Sequence, residues 1–459
     1  MVRQMSSTSV DDAGLPFPRR IWAIVALVLM IIILVSNNTS ITVALPVMAR
    51  DFGVSPTSAI WVVNGFQLAV VVTMLPLSAL GHRFGHRLLF QCGLGVFIGG
   101  AALCSVAGCL SVLVGARFLQ GVGAAAMMSV VGALIRDIYP PSRLGTALSI
   151  NALTVAVSGG LGPVFGSLIL TFATWPFLFL VIAPVGLVAL AMSFALPPNE
   201  PRAWPFDGKG AVINAVAFGS FVIGVMEITN RGELALVAIL ASSAAFILLV
   251  RHIRTIDHPI IPLDLLTIPR MYFASTSSIL CFSCSAIVLT ALPFYLGHNL
   301  QLSHIEVGFA LAVWPAAVGI AAVFSGWLSD RILPELLCMI GSSILACGTL
   351  FILLVPVHSA AWTMPIAMGV AGLGFGIFQA PNNRVLLGTV PHDRSAGASV
   401  IQAMSREFGN AVGAGILSLA FSIAVREGAF VGLIVGTLLA GLAAALNVIR
   451  LYVGKNHDS

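Results

Sequence analysis

Ionisable side chains inside long apolar stretches are the residues of this chain with the clearest chemical potential. Glu407 follows Arg406 in one such stretch, and Arg117 and Glu227 lie in two others. A charge in apolar surroundings is costly, so it usually faces a partner or a water-filled cavity. A carboxyl group in such a place can take up and release a proton. We therefore expect proton exchange at Glu407 first and at Glu227 second.

Each of these residues also has an interpretation in which it has no functional role. Glu227 stands close to Arg231, and we favour a position at the outer end of its stretch. Arg117 has the alternative of reaching out to the nearby interface, although a functional role is favoured. Adjacent residues are about 100° apart on a helix, so Arg406 and Glu407 are not expected to face one partner. One should point into a central cavity and the other toward a neighbouring helix.

The composition excludes a water-soluble protein. Of the 459 residues, 58% are apolar and 8% are charged, whereas soluble domains carry about 25% charged residues. The mean hydropathy is +1.03. A cytosolic enzyme and a nucleic-acid binder are therefore excluded. The seven cysteines, including the Cys281-x-x-Cys284 pair, fall mostly in apolar stretches and are interpreted as packing residues. No metal site and no cofactor are expected.

Apolar runs between polar breaks predict fourteen membrane spans. A helical span needs about 20 apolar residues, and the runs do not alternate as barrel strands would. The predicted spans are 21–45, 59–80, 88–108, 111–135, 146–172, 176–197, 210–229, 233–251, 272–296, 305–328, 335–356, 362–390, 396–424 and 428–450. The chain is therefore predicted to be an all-α polytopic membrane protein.

Basic residues predict the orientation of these spans. If the N-terminus is cytoplasmic, most of the 22 Lys and Arg residues fall on the cytoplasmic side, and Arg50, Arg231 and Arg426 fall outside. This bias is the positive-inside pattern. Both termini are therefore expected in the cytoplasm, and the polar tail Met1–Arg20 is expected to be retained rather than cleaved.

The spans divide into two groups of six. Polar stretches at 197–209 and 251–270 bracket spans 7 and 8, and the turn after span 2 (Ser78–Arg87) recurs after span 10 (Gly326–Arg331). Two six-helix bundles in a parallel pseudo-twofold repeat, plus two inserted helices, are therefore predicted. The predicted segments are a cytoplasmic tail at 1–20, an N-terminal bundle at 21–200, the inserted pair at 201–270, a C-terminal bundle at 271–450 and a cytoplasmic tail at 451–459.

Ordered motifs give the chain a family resemblance. They are Arg83-x-Gly85-x-Arg87 after span 2, Arg117-x-x-Gln120-Gly121-x-Gly123 in span 4, and Gly162-Pro163-x-x-Gly166 in span 5. This set resembles the major facilitator superfamily, particularly its drug:proton antiporter branch with fourteen spans. The resemblance implies a role in proton coupling for Arg117. It also implies a helix-packing antiporter motif at Gly162, Pro163 and Gly166, since small residues allow close approach.

The resemblance also implies a conformational gate at the cytoplasmic turns. Its residues are His82, Arg83, Gly85, Arg87, Gly326, Asp330 and Arg331. His82 stands where the family has an aspartate, so it cannot supply the negative charge of a latch. It is either a pH-sensitive gate element or, as we favour, an exposed loop histidine.

Span 1 departs from the family, because Asn37 occupies the position of an intramembrane aspartate. A cavity without that carboxylate is expected to favour neutral, weakly cationic or anionic amphipathic substrates over dications. Candidate cavity residues combine amides, methionines and aromatics, which suit varied ligands. They are Asn37, Asn64, Gln67, Gln120, Met127, Met128, Tyr295, Trp314, Gln379, Asn383, Gln402 and Arg406. Fewer than half of them are expected to line the cavity.

The function predicted from these features is proton-driven export of small amphipathic compounds (multidrug efflux) by alternating access. The expected partners are a small-molecule substrate, protons and the lipid bilayer of the inner membrane, with a functional monomer. One alternative is a facilitator or an uptake transporter for a small metabolite without proton coupling. A membrane-embedded lipid enzyme is disfavoured, because the nine histidines are scattered and none lies beside a carboxylate within a span.

Overall fold

A computed structural model describes most of the chain. The described residues are 14–140, 144–198, 207–227, 231–253, 255, 263–299, 303–329, 331–355, 362–390, 395–424 and 427–457. A few side chains within these ranges, including that of His82, lie outside the description.

Long helices build the described part of the chain, in agreement with the predicted all-α fold. They are α1 (Arg19–Asp51), α2 (Trp61–Phe84), α3 (His86–Ser105), α4 (Leu110–Ile138), α5 (Leu144–Phe172), α6 (Ile182–Ser193), α7 (Gly208–Glu227), α8 (Gly232–Ile253), α9 (Pro269–Asn299), α10 (His304–Leu328), α11 (Pro334–Leu354), α12 (Thr363–Gly388), α13 (Ser395–Ile423) and α14 (Gly428–His457). One-turn helices at Pro56–Ala59 and Phe177–Leu180 precede α2 and α6, and a 3-10 helix at Leu263–Thr267 precedes α9.

The length and composition of these helices suit a bilayer. Twelve of them, counted over the described residues, are apolar and long enough to cross a membrane. The other two are α6, which with its preceding turn forms a shorter apolar segment, and α13, which carries Arg406 and Glu407. Large apolar side chains such as Phe172, Leu236 and Val237 are exposed on the outside. Such a surface is stable against lipid and not against water.

The two groups of six helices pack in the same pattern, which confirms the predicted repeat. In the first group α1 packs on α5, while α2 and α3 pack on α4. In the second group α9 packs on α13, while α10 and α11 pack on α12. Helices α7 and α8 pack on each other, and α7 also contacts α2 and α13. The inserted pair therefore lies against both halves.

The two halves meet along α5 and α10, with further contacts between α2 and α13 and between α1 and α9. Small residues permit the α5–α10 approach. A Cβ atom placed on Gly159 would lie 3.2 Å from the Pro315 Cβ, and one on Gly319 would lie 2.7 Å from the Ala156 Cβ. The halves therefore pack closely along the later part of α5.

The turn predicted after span 2 is shorter than expected. Helix α2 continues through Phe84, and Gly85 alone separates it from α3. Gly85 has φ 103° and ψ 136°, a conformation that L residues with a Cβ rarely adopt. Residue 82 therefore belongs to a helix and not to a loop.

Candidate functional site

A central cavity lies between the two halves. Its volume is about 200 Å³, and its walls come from α1, α2 and α5 of the first half and from α9, α10 and α13 of the second. The lining residues are Asn38, Thr39, Thr42, Val63, Gln67, Gly159, Pro163, Ser285, Ala286, Leu289, Thr290, Leu311, Pro315, Asn410 and Ala414. Contributions from both halves mean that any relative movement of the halves changes the shape of this cavity.

The lining of the central cavity is polar in part but uncharged. Amides and hydroxyls alternate with Leu289, Leu311 and two prolines, and the lining contains no Asp, Glu, Lys or Arg. The volume is below the roughly 300–1,000 Å³ of pockets for drug-sized ligands. In this conformation the cavity therefore suits a small molecule that offers both apolar surface and hydrogen-bonding groups.

Of the residues predicted to line the cavity, only Gln67 is among those that line it. Asn37 and Gln120 lie behind the wall and bind Arg117, and Met127 is fully buried in the core. Tyr295 and Trp314 are buried against aromatic rings, with centroids 6.3 Å from Phe430 and 6.1 Å from Phe375 respectively. Asn64 is buried, whereas Met128, Gln379, Asn383, Gln402 and Arg406 are partly buried, and none of these lines this cavity.

Several cavity residues were not predicted. Asn38, Thr39 and Thr42 belong to a polar run in the last third of span 1, and Asn410 follows the charged pair in α13. The signal was present in the sequence, because polar residues within a span need a polar or aqueous neighbour. Hydropathy does not show which side of the helix they occupy.

Arg117 is held by hydrogen bonds from α1, α2 and its own helix. Its Nε donates to the Val62 carbonyl oxygen at 3.1 Å. Its Nη1 donates to the Asn37 Oδ1 at 3.2 Å and to the Gln120 Oε1 at 2.7 Å. Its Nη2 donates to the Asn38 Oδ1 at 3.3 Å. Four neutral acceptors therefore surround the guanidinium group.

The burial of Arg117 is complete, with 0% of its surface exposed. Its guanidinium carbon lies 4.2 Å from the centroid of the Phe66 ring, in the position of a cation–π contact. A side chain that reached the interface would be exposed, so the alternative of an outward-reaching arginine does not describe this structure. No ion pair between described residues includes Arg117. Its positive charge is therefore stabilised by neutral groups, which are the four hydrogen-bond acceptors and the Phe66 ring.

Arg406 and Glu407 bind each other. The Arg406 Nε donates to the Glu407 Oε1 at 2.8 Å, Glu407 is 5% exposed, and Arg406 is partly exposed. The two side chains leave the helix about 100° apart and still bind each other, because the long arginine side chain folds back over its neighbour. Asn410, a cavity-lining residue, lies one helical turn further along α13 and hence on the adjoining surface.

Glu227 is not in the interior of a span. It is the last residue of α7 and is partly exposed. This position agrees with the alternative interpretation, a residue at the end of the membrane segment. Among the described acidic residues of the long helices, Glu407 is the one far from both helix ends.

The Gly162-Pro163-Gly166 motif packs α5 against two helices. On one side, a Cβ on Gly162 would lie 2.8 Å from the Ser36 carbonyl oxygen, and the Ser40 Oγ donates to the Gly162 carbonyl oxygen at 2.6 Å. On the other side, a Cβ on Gly308 of α10 would lie 2.7 Å from the Pro163 carbonyl oxygen. The motif therefore joins α1 to the interface between the halves.

The residues of the predicted gate are distributed over the ends of several helices. Arg83 is exposed, and Arg87 donates from Nη1 to the Leu196 carbonyl oxygen at 3.3 Å. Gly326 meets open space, and Arg331 lies over the Trp327 ring at 4.2 Å. Asp330 and the His82 side chain lie outside the described residues. Arg87 binds a carbonyl group just beyond α6, where basic side chains are favoured.

A second buried arginine was missed by the sequence. Arg450 is the last residue of the predicted span 428–450, where a basic side chain usually marks a cytoplasmic end, but it is 2% exposed. Its Nη1 donates to the Asn382 Oδ1 at 2.8 Å and to the Asn447 Oδ1 at 3.4 Å. Asn382 in turn donates to the Ser278 Oγ at 2.8 Å. A polar network therefore ties α9, α12 and α14 together inside the second half.

Comparison with known proteins identifies the family. The model of the Major Facilitator Superfamily matches residues 26–414 and 271–457. The chain belongs to the major facilitator superfamily. Membership of this superfamily makes it a membrane transporter and not an enzyme, and it explains the two look-alike halves around one cavity.

Its relatives in the major facilitator superfamily differ in function. An uncharacterized transporter, YebQ of Escherichia coli (strain K12), is 37% identical over 96% of this chain and 98% of the relative. The multidrug efflux pump LfrA of Mycolicibacterium smegmatis is 30% identical over 89% of this chain and 82% of its own length. The riboflavin transporter RibZ of Clostridioides difficile is 26% identical over 84% of this chain and 85% of its own length.

Solved structures share the fold. A POT family transporter crystallised with 5-aminolevulinic acid superimposes with a TM-score of 0.74 over 96% of this chain and 98% of that one. The sequence identity is 14%, so this likeness concerns the fold alone.

Proposed function

We propose that this transporter exports small amphipathic compounds in exchange for protons, as a member of the drug:proton antiporter branch. The observation that carries the proposal is the Arg406–Glu407 ion pair in the middle of α13, one turn from Asn410 in the wall of the central cavity. Burial makes Glu407 a candidate proton carrier, and nearness to Asn410 links its charge state to the substrate.

Protonation of Glu407 changes the charge of the pair. When Glu407 is ionised, it neutralises Arg406 through the 2.8 Å hydrogen bond. When Glu407 takes up a proton, the negative charge disappears and the arginine must find another partner. A group with two arrangements of this kind can bias a transporter between two conformations.

Alternating access supplies the transport step. We infer that the halves rock about the central cavity, with α5 and α10 separating in one state and meeting in the other. We further infer, from the distribution of basic residues, an inner-membrane protein with both ends in the cytoplasm. The functional unit is a monomer, because the cavity is built by one chain.

One relative supports the proposed export function, and another supports an alternative to it. The efflux pump LfrA supports export of amphipathic compounds. The riboflavin transporter RibZ and the small uncharged cavity support a second candidate, the uptake of a small metabolite without proton coupling. Energy coupling distinguishes the two.

The test is transport by the Glu407→Gln variant in proteoliposomes. A pH gradient should drive accumulation of an amphipathic dye by the unaltered protein. In Glu407→Gln this accumulation should fall about tenfold or more, because glutamine cannot exchange a proton. Exchange of labelled for unlabelled dye, which needs no gradient, should continue in the variant.

The matched control is Glu227→Gln, which removes a carboxylate at a helix end and should transport normally. Gradient-driven accumulation that survives in Glu407→Gln would refute the assigned proton site. Dye movement by the unaltered protein that ignores the pH gradient would favour the second candidate.

A further inference from the structure

The electrostatics of the central cavity are asymmetric. Arg117 lies directly behind Asn38 in the cavity wall and has no carboxylate partner among the described residues. The pair of Arg406 and Glu407 is neutral as a unit, and the lining itself is uncharged. The region therefore carries a net positive charge, and an organic cation entering it is repelled.

Of the four hydrogen-bond acceptors around Arg117, the Asn38 side chain is the one that a ligand can replace. The Arg117 Nη2–Asn38 Oδ1 distance of 3.3 Å is the longest of the four hydrogen bonds to this guanidinium. The other three acceptors belong to buried residues, whereas Asn38 is partly exposed and lines the cavity. An acceptor oxygen of a ligand can therefore reach Arg117 when the Asn38 side chain turns away.

Two further amides are available to the same ligand. Gln67 of α2 and Asn410 of α13 line the cavity from opposite halves, and neither side chain has a hydrogen-bond partner among the described residues. A ligand that bonds to Asn38, Gln67 and Asn410 touches both halves at once. Such contacts change when the halves move.

We propose that the cavity wall at Asn38 is an acceptor subsite, where an uncharged oxygen of the substrate, such as an amide or ketone carbonyl, takes the place of the Asn38 Oδ1 on Arg117. The substrates are uncharged, acceptor-bearing molecules in preference to organic cations. This inference rests on the proposed function.

Linkage selects an uncharged substrate over an anion. Uptake of a proton by Glu407 leaves Arg406 with an unbalanced positive charge near the cavity, so an anion and a proton would strengthen each other's binding. Reciprocal strengthening drives movement in the same direction, which is the opposite of exchange. The binding of an uncharged molecule is not strengthened by the proton in this way, so it is compatible with exchange.

The test measures binding of three probes to the purified full chain in nanodiscs by calorimetry. The probes are N,N-dimethylbenzamide, phenyltrimethylammonium and benzoate, which share a phenyl ring and differ in charge. The unaltered protein should bind the amide best. Asn37→Asp, which places a carboxylate 3.2 Å from Arg117 at nearly unchanged size, should shift the affinity ratio toward the cation about tenfold or more, or about 1.4 kcal/mol. Asn38→Asp should act in the same direction.

Asn151→Asp is the control, because Asn151 lies on α5 outside the cavity wall and its substitution should leave the ratio unchanged. An unchanged ratio in both Asn37→Asp and Asn38→Asp would overturn the subsite. So would tightest binding of phenyltrimethylammonium or of benzoate by the unaltered protein. Binding selectivity is measured without a pH gradient, so its failure is separate from failure of proton coupling at Glu407.

Discussion

At the scale of single residues, a central feature of the structure is Arg117, a buried arginine whose hydrogen bonds all go to neutral groups. Arg117 donates to three amide side chains and a backbone carbonyl group. A guanidinium group suits this task, because its five N–H donors lie in one rigid plane and reach several acceptors at once. An ammonium group carries the same charge but cannot reproduce that geometry.

Arg117→Lys should therefore destabilise the protein although it conserves the charge. At least one buried acceptor would lose its donor, at a cost of about 1–3 kcal/mol. The apparent melting temperature in detergent should fall by several degrees. Arg83→Lys, at an exposed position, should melt like the unaltered protein. Equal melting temperatures for Arg117→Lys and the unaltered protein would show that the hydrogen bonds to Arg117 contribute little.

Residue types in the sequence identified the buried charged residues better than their contacts. Glu407 and Arg117 stood out because a charge in a long apolar run is rare. Their partners could not be read from spacing, because Arg406 and Glu407 meet through the flexible arginine side chain. The burial of Arg450 could not be predicted either, since a basic residue at the end of a span fits both a cytoplasmic end and a buried network.

At the scale of helices, close packing by small residues determines how α5 sits between α1 and α10. Gly162 and Gly166 face α1, where Ser36 and Ser40 approach within 3.0 Å of the positions that Cβ atoms would occupy. Both serines donate hydrogen bonds to α5 carbonyl groups. The motif thus acts through contact distance and not through a chemical group.

Gly162→Ala and Gly166→Ala should both weaken this packing. The added methyl group meets backbone atoms of α1, which cannot move independently, and overpacking of this kind costs about 1–3 kcal/mol. Melting temperature and initial transport rate should both fall. Gly132→Ala is the matched control, because open space surrounds Gly132 of α4 and alanine favours a helix there. A variant at Gly162 or Gly166 that matches the control in both measurements would contradict the packing role.

Hydropathy predicted the helices well, because a span must be long and apolar whatever its neighbours are. It could not predict how each helix is rotated about its axis. In lipid the outer face is as apolar as the interior, so no polar stripe marks the surface side. For that reason Tyr295 and Trp314 were expected in the cavity, whereas they pack against Phe430 and Phe375.

At the scale of the whole molecule, two halves of like packing enclose a cavity to which each contributes three helices. The two halves approach each other closely at the α5–α10 contact, and glycine residues in both helices permit this approach. The α5–α10 contact blocks access to the cavity from one side. The halves must separate at this contact before a substrate can enter or leave by that side. Covalent closure of the contact is therefore the most direct way to test alternating access.

The decisive measurement is transport by a chain that carries Ala156→Cys and Gly319→Cys, with the exposed Cys92, Cys109 and Cys347 replaced by serine. A Cβ on residue 319 lies 2.7 Å from that of Ala156, so a small separation gives the roughly 3.5–4.5 Å of a disulfide. Oxidation should abolish transport in proteoliposomes and reduction should restore it. In a variant that carries only one of the two new cysteines, oxidation should leave the transport rate unchanged. Undiminished transport by fully cross-linked protein would contradict alternating access between the two halves.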